Sequence, residues 1–457
     1  MKPQVVMKFG GTSVGTPEAM LRTARHIARE ERWPIVVVSA VGGVTNMIIR
    51  AAEEASQGDS VRELFLQILE RHHKIINELE LEKGLLSALE EELERLLRGV
   101  RMLGELSPRI KDTLLSLGER MSVRLLAATL EKLGLRARAW ASWDLGLVTD
   151  SRHNKADLLP ECHPEIRNRI KDLEPGVIPV VTGFIGRSLA GDITTLGRGG
   201  SDFSAAVFGA AAEVEEIQIW TDVPGFMCAD PRIVPDAAVI PRMTFEEASE
   251  LAYFGAKVLH PRTMLPARRM KIPVRVLGTF HIDPDRKESI SCFGTLINGR
   301  VPRVPLRALA IRSDVHSLHI HSLRMLEAPG FLARVFEILS RREISVDVIA
   351  TSEVSISMTF DRTEGQLQAA IKEISEFAEV TEVPQRSILC VVGAGLKSDT
   401  KILADIFKVL SDSEIPIQVI SQGASQINIT MVCEPEDAKL AMEVLHNRFF
   451  AGIALAA

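Results

Sequence analysis

Two glycine-bearing stretches hold the cations best placed for chemistry. Lys8-Phe9-Gly10-Gly11-Thr12-Ser13 sets a lysine beside a glycine pair. Glycine permits a tight turn and lets a ligand reach bare amides, and an ammonium suits a phosphoryl oxygen. The spacing is not that of a Walker A loop, which needs G-x-x-x-x-G-K-[ST]. The second stretch is Thr194-Thr195-Leu196-Gly197-Arg198-Gly199-Gly200-Ser201-Asp202. Arg198 can hold a carboxylate through two parallel bonds, and Asp202 can orient Lys8 or a metal-bound water. Glu119 follows Gly118 inside an otherwise good helix. A glycine there costs about 1 kcal/mol and asks for a packing or functional reason; the adjacent carboxylate suits a cationic amine. Thr221-Asp222, with Arg232 and Lys257 further on, has groups for a ribose or base and cations for phosphates. Read one at a time, each has a plainer account as a capped turn or a solvated face.

These groups need a scaffold. Val5-Val6-Met7 reads as a short buried strand. Thr16-Pro17 reads as the cap and first residue of a helix running to Arg32. Trp33-Pro34 breaks it, and Ile35-Val36-Val37-Val38 is a second buried strand. The fold therefore begins as α/β with a parallel sheet. Ser39 to Asn46 leaves that strand as a small, hydroxyl-bearing loop at its carboxyl end, where ligands gather in such sheets. Residues from about Ser60 to Leu133 read as helical. Further strands are expected at Ala137–Trp140, Val177–Val181 and Ile217–Trp220, and an Ala-rich helix from Phe203 to Ala212. The chemical stretches thus fall largely at strand ends and helix starts, where free N–H groups favour an anion.

The 457 residues allow two or three domains, and 46% apolar with 25% charged residues is ordinary for a globular chain. A net charge of −6 argues against nucleic acid as a partner. No apolar run is long enough to span a bilayer. Lys8 interrupts the N-terminal apolar run too early for a signal peptide, so a cytoplasmic location is expected. The five cysteines are far apart and form no CxxC, which fits a reducing compartment. Cys162-His163 and His72-His73 lack the second pair that a metal site needs, so no resident metal is expected.

Taken together, KFGGTSV, GRGGSD, WTDVPG and FGAKVLHP, in this order and spacing, make the chain similar to the aspartokinases of the amino-acid kinase family. The single-function, lysine-regulated type is the best match, and the resemblance covers essentially the whole chain. It implies a mainly parallel sheet sandwiched by helices as a catalytic domain over residues 1–299. It implies ATP-dependent phosphorylation of the L-aspartate β-carboxylate to 4-phospho-L-aspartate with Mg²⁺, the first step toward lysine, threonine and methionine. By that resemblance Lys8 contacts the transferring phosphoryl group, and Lys8, Asp202 and Lys257 are catalytic. Thr45, Glu119, Arg198 and Ser201 hold aspartate, with glutamate on its amine and arginine on its α-carboxylate. Gly10, Gly11, Ser39, Thr221, Asp222, Met227, Arg232, Lys257 and Val258 join Lys8 at ATP. Met227 stands where relatives often carry tyrosine; methionine can still pack flat on a ring. A carboxylate is already a nucleophile, so catalysis reduces to positioning and charge neutralisation.

Beyond a Pro- and Arg-punctuated linker at residues 300–313, which includes the first strand of the regulatory region, the chain repeats itself at an offset of 71 residues. Phe331 to Ser340 matches Ile402 to Ser411, and Ser355-Ile356-Ser357-Met358 matches Gln426-Ile427-Asn428-Ile429. Each copy reads β-α-β-β-α-β, a ferredoxin-like unit, over 314–385 and 386–457. The copies resemble paired ACT domains, which bind amino acids at subunit interfaces. That resemblance implies a homo-oligomer and an effector, L-lysine by the type matched. The implied effector residues are Met325, Gly330, Phe331, Leu332, Ser345, Val346, Asp347, Thr351, Ser352 and Glu353. Gln418 replaces Asp347 in the second copy. Ala328-Pro329 departs from the more polar loop of lysine-sensing relatives.

Two other functions compete. A kinase for another small acid, such as N-acetylglutamate, would share the fold; Glu119, placed for a free amine, argues against an acetylated one. A catalytically silent amino-acid sensor would not need Lys8, Arg198 and Asp202 together. The length leaves no room after the repeats for a dinucleotide-binding domain, so a single-function enzyme is expected.

Overall fold

A computed structural model describes residues 2–255, 259, 261–286, 288–299, 304, 306–325, 329–361, 365–397, 399–423 and 425–450. The chain divides into two compact units. The first comprises Met1–Phe226, Pro241–Phe245 and Val258–Arg300; the second comprises Met227–Ile240, Glu246–Lys257 and Val301–Ala457. The sequence alone suggests one uninterrupted catalytic block to residue 299, but two excursions, 227–240 and 246–257, pack with the C-terminal region.

The elements run β1 (Val5–Phe9), α1 (Pro17–Arg29), β2 (Pro34–Val38), α2 (Val44–Ser56), α3 (Arg62–Glu78), α4 (Ser87–Leu103) and α5 (Pro108–Lys132). Then come β3 (Ala137–Trp140), β4 (Val148–Thr149), α6 (Cys162–Lys171), β5 (Ile178–Thr182), β6 (Ile185–Ser188), β7 (Ile193–Thr195), α7 (Gly200–Ala212) and β8 (Glu216–Thr221). β9 (Arg242–Met243), α8 (Phe245–Phe254), α9 (Leu265–Met270), β10 (Val274–Gly278) and β11 (Thr295–Ile297) follow.

The first unit holds an eight-stranded sheet of order β3-β5-β2-β1-β8-β10-β11-β9, parallel except for the β10–β11 pair. β1 and β2 are buried throughout and carry no polar alternation, as strands covered on both faces do. Within β1, Val5, Met7 and Phe9 enter a core shared with α1 to α5. A strand alternates its side chains, so Lys8 points to the opposite face, where α7 packs on β1. Phe9, Val38, Trp220 and Thr182 are in register. The turns after four strands therefore leave the sheet in one row. Thr16 caps α1 by accepting from the Ala19 amide at 3.2 Å. α1 stops at Arg29, three residues before the expected end, and α2 starts at Val44, inside the stretch read as a loop. β4, β6 and β7 form a small second sheet that the sequence reading did not anticipate.

The second unit contains β12 (Ala308–His321), α10 (Phe331–Arg341), β13 (Val348–Thr351), β14 (Ser355–Asp361) and α11 (Gln366–Ile374). β15 (Glu379–Val392), α12 (Thr400–Asp412), β16 (Val419–Gln422), β17 (Asn428–Cys433) and α13 (Pro435–Phe449) complete it. Its antiparallel sheet has the order β13-β14-β12-β15-β17-β16. Expected as a self-contained β-α-β-β-α-β unit, the second copy is not one. Its fourth strand is Ala308–Arg312, which pairs with Ile388–Val392, while Ser317–His321 pairs with Glu379–Val383 in the first copy. The two long strands thus serve both copies, with register shifts near Val315. No helix among the described residues is long and apolar enough to cross a membrane.

Candidate active site

The turns after β2 and β5 border a cavity of about 510 Å³ in the first unit. Lys8, Ser39, Thr45, Glu119, Arg198, Ser201 and Asp202 line it, together with Lys111, Asn154, Phe184 and Thr195. Lys8 is 9% exposed, and its Nζ lies 2.6 Å from Asp202 Oδ1 in the first turn of α7. A buried ammonium needs such a partner. The pair also aims the lysine along the start of α7, where helix N–H groups face the cavity.

The loop Ser39–Ala40 is gripped from two sides. A Cβ on Gly11 would stand 2.9 Å from the Ala40 carbonyl oxygen, and one on Gly118 would stand 2.8 Å from the Ala40 Cβ. Glycine at both positions is what allows the first turn, this loop and α5 to meet. Gly118 thereby has the packing reason its helical position demanded. Its neighbour Glu119 is 3% exposed and accepts from the Ala40 amide at 3.2 Å through Oε1. Oε2 has no hydrogen-bond partner among the described residues. Burial pushes the Glu119 carboxyl up to about 8, against the pull of the Ala40 amide. The pocket thus holds an acid whose second oxygen faces no hydrogen-bond donor among the described residues.

Arg198 sits between Gly197 and Gly199, whose φ of 74° and 73° are left-handed. These two glycines turn the chain out and back and leave Arg198 exposed. Among the described residues no carboxylate pairs with it. Thr45 lies in the first turn of α2 and Ser201 in that of α7. Gly10 adjoins the Lys8 ammonium, 3.5 Å from the position a Cβ would take.

The predicted nucleotide residues are less concentrated. Ser39 lines the cavity. Thr221 ends β8 in the first unit and donates to Asp222 Oδ1 at 3.1 Å. Met227 and Arg232 belong to the second unit, where Met227 bridges Val239 and Arg232 is paired with Asp230 at 2.6 Å. Lys257 and Val258 lie outside the described residues, as does Ala328 of the effector loop.

In the second unit Gly330, with φ 94°, caps α10, and Phe331 and Leu332 open that helix. Met325, Phe331 and Val346 pack on the core of the first copy. Ser345 precedes β13; Thr351 ends it, and Ser352 and Glu353 follow, all four exposed. Asp347 is already engaged: Oδ1 accepts from the Tyr253 hydroxyl at 2.8 Å and is 3.1 Å from Arg312. Its Oδ2 is buried and has no partner among the described residues. Burial raises the Asp347 carboxyl above its ordinary value, against the hydrogen bond from Tyr253 and the charge of Arg312. At the repeat-related position Gln418 accepts from Arg386 at 2.9 Å.

Sequence reasoning missed Asp112. It is wholly buried on α5, two turns before Glu119, and it holds two of the segments that line the cavity. Arg109, Ser116 and Ser122 share that helical side, so no local pattern singled Asp112 out.

The chain matches the amino acid kinase family over residues 3–278 and an ACT domain over 320–376 and 389–449. It is 38% identical to aspartokinase 1, chloroplastic, of Arabidopsis thaliana over 464 residues, covering 97% of this chain and 80% of that one. It is 36% identical to lysine-sensitive aspartokinase 3 of Escherichia coli (strain K12) over 471 residues, covering 98% and 100%. Among solved structures it is similar to E. coli aspartokinase III in complex with aspartate and ADP (R-state). There the TM-score is 0.81 at 34% identity, covering 98% of this chain and 100% of that one.

Proposed function

The chain belongs to the aspartokinases of the amino acid kinase family, and from that membership we propose that the Lys8 cleft is where ATP phosphorylates the β-carboxylate of L-aspartate. The observation that carries this reading is charge complementarity within one cavity. Three cations, Lys8, Lys111 and Arg198, and two carboxyl groups, Asp202 and Glu119, line about 510 Å³; Lys111 is paired with Glu53 and Asp202 with Lys8, while Glu119 is buried with one oxygen unpartnered among the described residues. L-Aspartate offers two carboxylates and one ammonium. Arg198 takes the α-carboxylate, Glu119 takes the ammonium, and Thr45 and Ser201 orient the acceptor with hydroxyls. The β-carboxylate is then held toward Lys8.

ATP enters with its phosphates over Gly10 and Gly11, beside Ser39 and the Lys8 ammonium, and Thr221 and Asp222 serve its ribose or base. Magnesium bound to the phosphates would neutralise part of their charge. The β-carboxylate oxygen attacks the γ-phosphorus, the bond to ADP breaks, and 4-phospho-L-aspartate results. Lys8 stabilises charge on the transferring group, and Asp202 holds Lys8 in line. No group has to remove a proton.

The same proposal covers regulation. Asp347 Oδ2, unpartnered among the described residues, suits the ammonium of an amino-acid effector, L-lysine by analogy with the lysine-sensitive relative. Leu332 and Phe336, one turn apart on α10, are 41% and 39% exposed, and Leu323 is 77% exposed. Such apolar surface supports a homo-oligomer assembled through the ACT units. The widely spaced free cysteines, four of them buried, fit a cytoplasmic location.

Incubation with ATP, Mg²⁺ and L-aspartate in hydroxylamine tests the reaction. An acyl phosphate yields a hydroxamate, which is the expected product. No hydroxamate above the control without aspartate would overturn the reading.

A further inference from the structure

We propose that Asp112 is a positioning residue for the acceptor pocket, holding the Asn154 backbone and Thr195 so that the Arg198 turn keeps its place; this rests on the reading of that pocket as the aspartate site. Asp112 lies on α5 with none of its surface exposed. Among the described residues, the hydrogen bonds to its carboxylate come from segments bordering the cavity. The Asn154 amide donates to Oδ1 at 3.1 Å and to Oδ2 at 3.0 Å. The Thr195 hydroxyl donates to Oδ1 at 2.7 Å, and His153 Nδ1 lies 2.9 Å from Oδ2.

Asn154 is held in a left-handed conformation, φ 65°, one that asparagine tolerates better than most residues but glycine better still. Here both carboxylate oxygens receive its N–H. Two residues on, the Ala156 amide donates to the Thr195 carbonyl at 2.9 Å. Thr194 and Thr149 bond hydroxyl to hydroxyl at 2.6 Å behind them. Gly197 packs over the Asn154 carbonyl, 3.5 Å from where its Cβ would be. The Asn154–Ala156 segment is thus clamped to the strand that leads into Gly197-Arg198-Gly199. Asn154 and Thr195 themselves line the cavity. α5 therefore presents Glu119 to the acceptor directly, and seven residues earlier it fixes the Asn154 and Thr195 lining through Asp112.

The test is steady-state kinetics on Asp112→Asn, Thr195→Val and the double variant Asp112→Asn/Asn154→Gly, with Arg198→Ala as control. Asp112→Asn should raise the aspartate KM at least tenfold and leave the ATP KM within twofold. Thr195→Val, which removes one hydroxyl and keeps the shape, should raise the aspartate KM about threefold; it answers the question if Asp112→Asn does not fold. Glycine at 154 adopts a left-handed φ without help, so the double variant should recover at least threefold of the lost aspartate KM. A lowered Tm with both KM values unchanged, or equal rises in both, would overturn the positioning role. Arg198→Ala must itself raise the aspartate KM. If it does and the Asp112 and Thr195 variants do not, only this inference falls. If it does not, the acceptor reading falls and takes this one with it.

Discussion

Lys8 Nζ and Asp202 Oδ1 are 2.6 Å apart across the junction of β1 and α7, with side chains only 11% and 14% exposed. The pairing joins the two glycine-rich stretches, which are almost two hundred positions apart in sequence. It also leaves the lysine neutralised until an anion arrives to share it.

Lys8→Ala should lower kcat by several orders of magnitude with the fold intact by circular dichroism. Removing the ammonium also strands a mostly buried carboxylate, which destabilises more than losing the pair together. Lys8→Met/Asp202→Asn should therefore melt closer to the parent than Lys8→Met alone, while staying inactive. A single variant with parental turnover would remove Lys8 from phosphoryl transfer.

Much of this site was legible because its residue types are costly where they stand. A lysine in a strand of Val, Met and Phe, an arginine between glycines, and a glycine in mid-helix each contradict local propensity, and such conflicts mark functional places. The parallel sheet was equally legible, since β2 reads as an unbroken apolar run and β1 as one interrupted only by Lys8. What could not be read was long-range. Nothing in the sequence tells that Ala308–Arg312 completes the second ACT copy from the far side of the first, because a strand's partner is set by tertiary pairing. Asp112 escaped for the same reason: its partners lie at 153, 154 and 195, and no local pattern couples them.

Glu119 sets a pH dependence. Its carboxyl is pushed up to about 8 by burial, so near neutrality it is largely protonated, whereas the ammonium of aspartate requires the ionised form. Aspartate binding should release a proton. The aspartate KM should fall roughly tenfold per pH unit toward pH 8 and flatten above it. Calorimetry in two buffers of different ionisation enthalpy measures the proton directly. The unfolded carboxyl titrates near its ordinary value while the folded one holds its proton to about 8. Stability from this group is thus lost as pH rises between the two values. Glu119→Gln should then be the more stable protein at pH 8, and by less at pH 5, while binding aspartate poorly. A parent more stable than Glu119→Gln at pH 8 would contradict the assignment.

Gly118→Ala sets two effects against each other. Alanine is the better helix former by about 1 kcal/mol. Its methyl would sit 2.8 Å from the Ala40 Cβ, and overpacking of that kind costs roughly 1–3 kcal/mol. Ala40 cannot withdraw easily, because Gly11 closes on its other side. The clash should win: a lower Tm, with a raised aspartate KM as Ala40 carries its amide away from Glu119. A rise in Tm without a KM change would mean that α5 and this loop are not held as tightly as the distances imply.

Asp347 offers the cleanest separation of regulation from catalysis. Asp347→Ala removes the partner of Tyr253, but Arg312 keeps its second carboxylate, Asp361, at 2.5 Å. The cation is therefore not orphaned and the first ACT copy should stay folded. If the free Oδ2 receives the effector's ammonium, inhibition by L-lysine should weaken at least tenfold while kcat without lysine stays within twofold. Tyr253→Phe is the informative companion. It deletes only the hydroxyl bonded to Oδ1 and leaves Oδ2 available, so its half-inhibitory lysine concentration should move far less. Dose–response curves for the two variants beside the parent decide the matter: unchanged inhibition in Asp347→Ala places the effector elsewhere, and equal loss in both variants makes the contact with Tyr253, rather than the free oxygen, the element that lysine binding depends on.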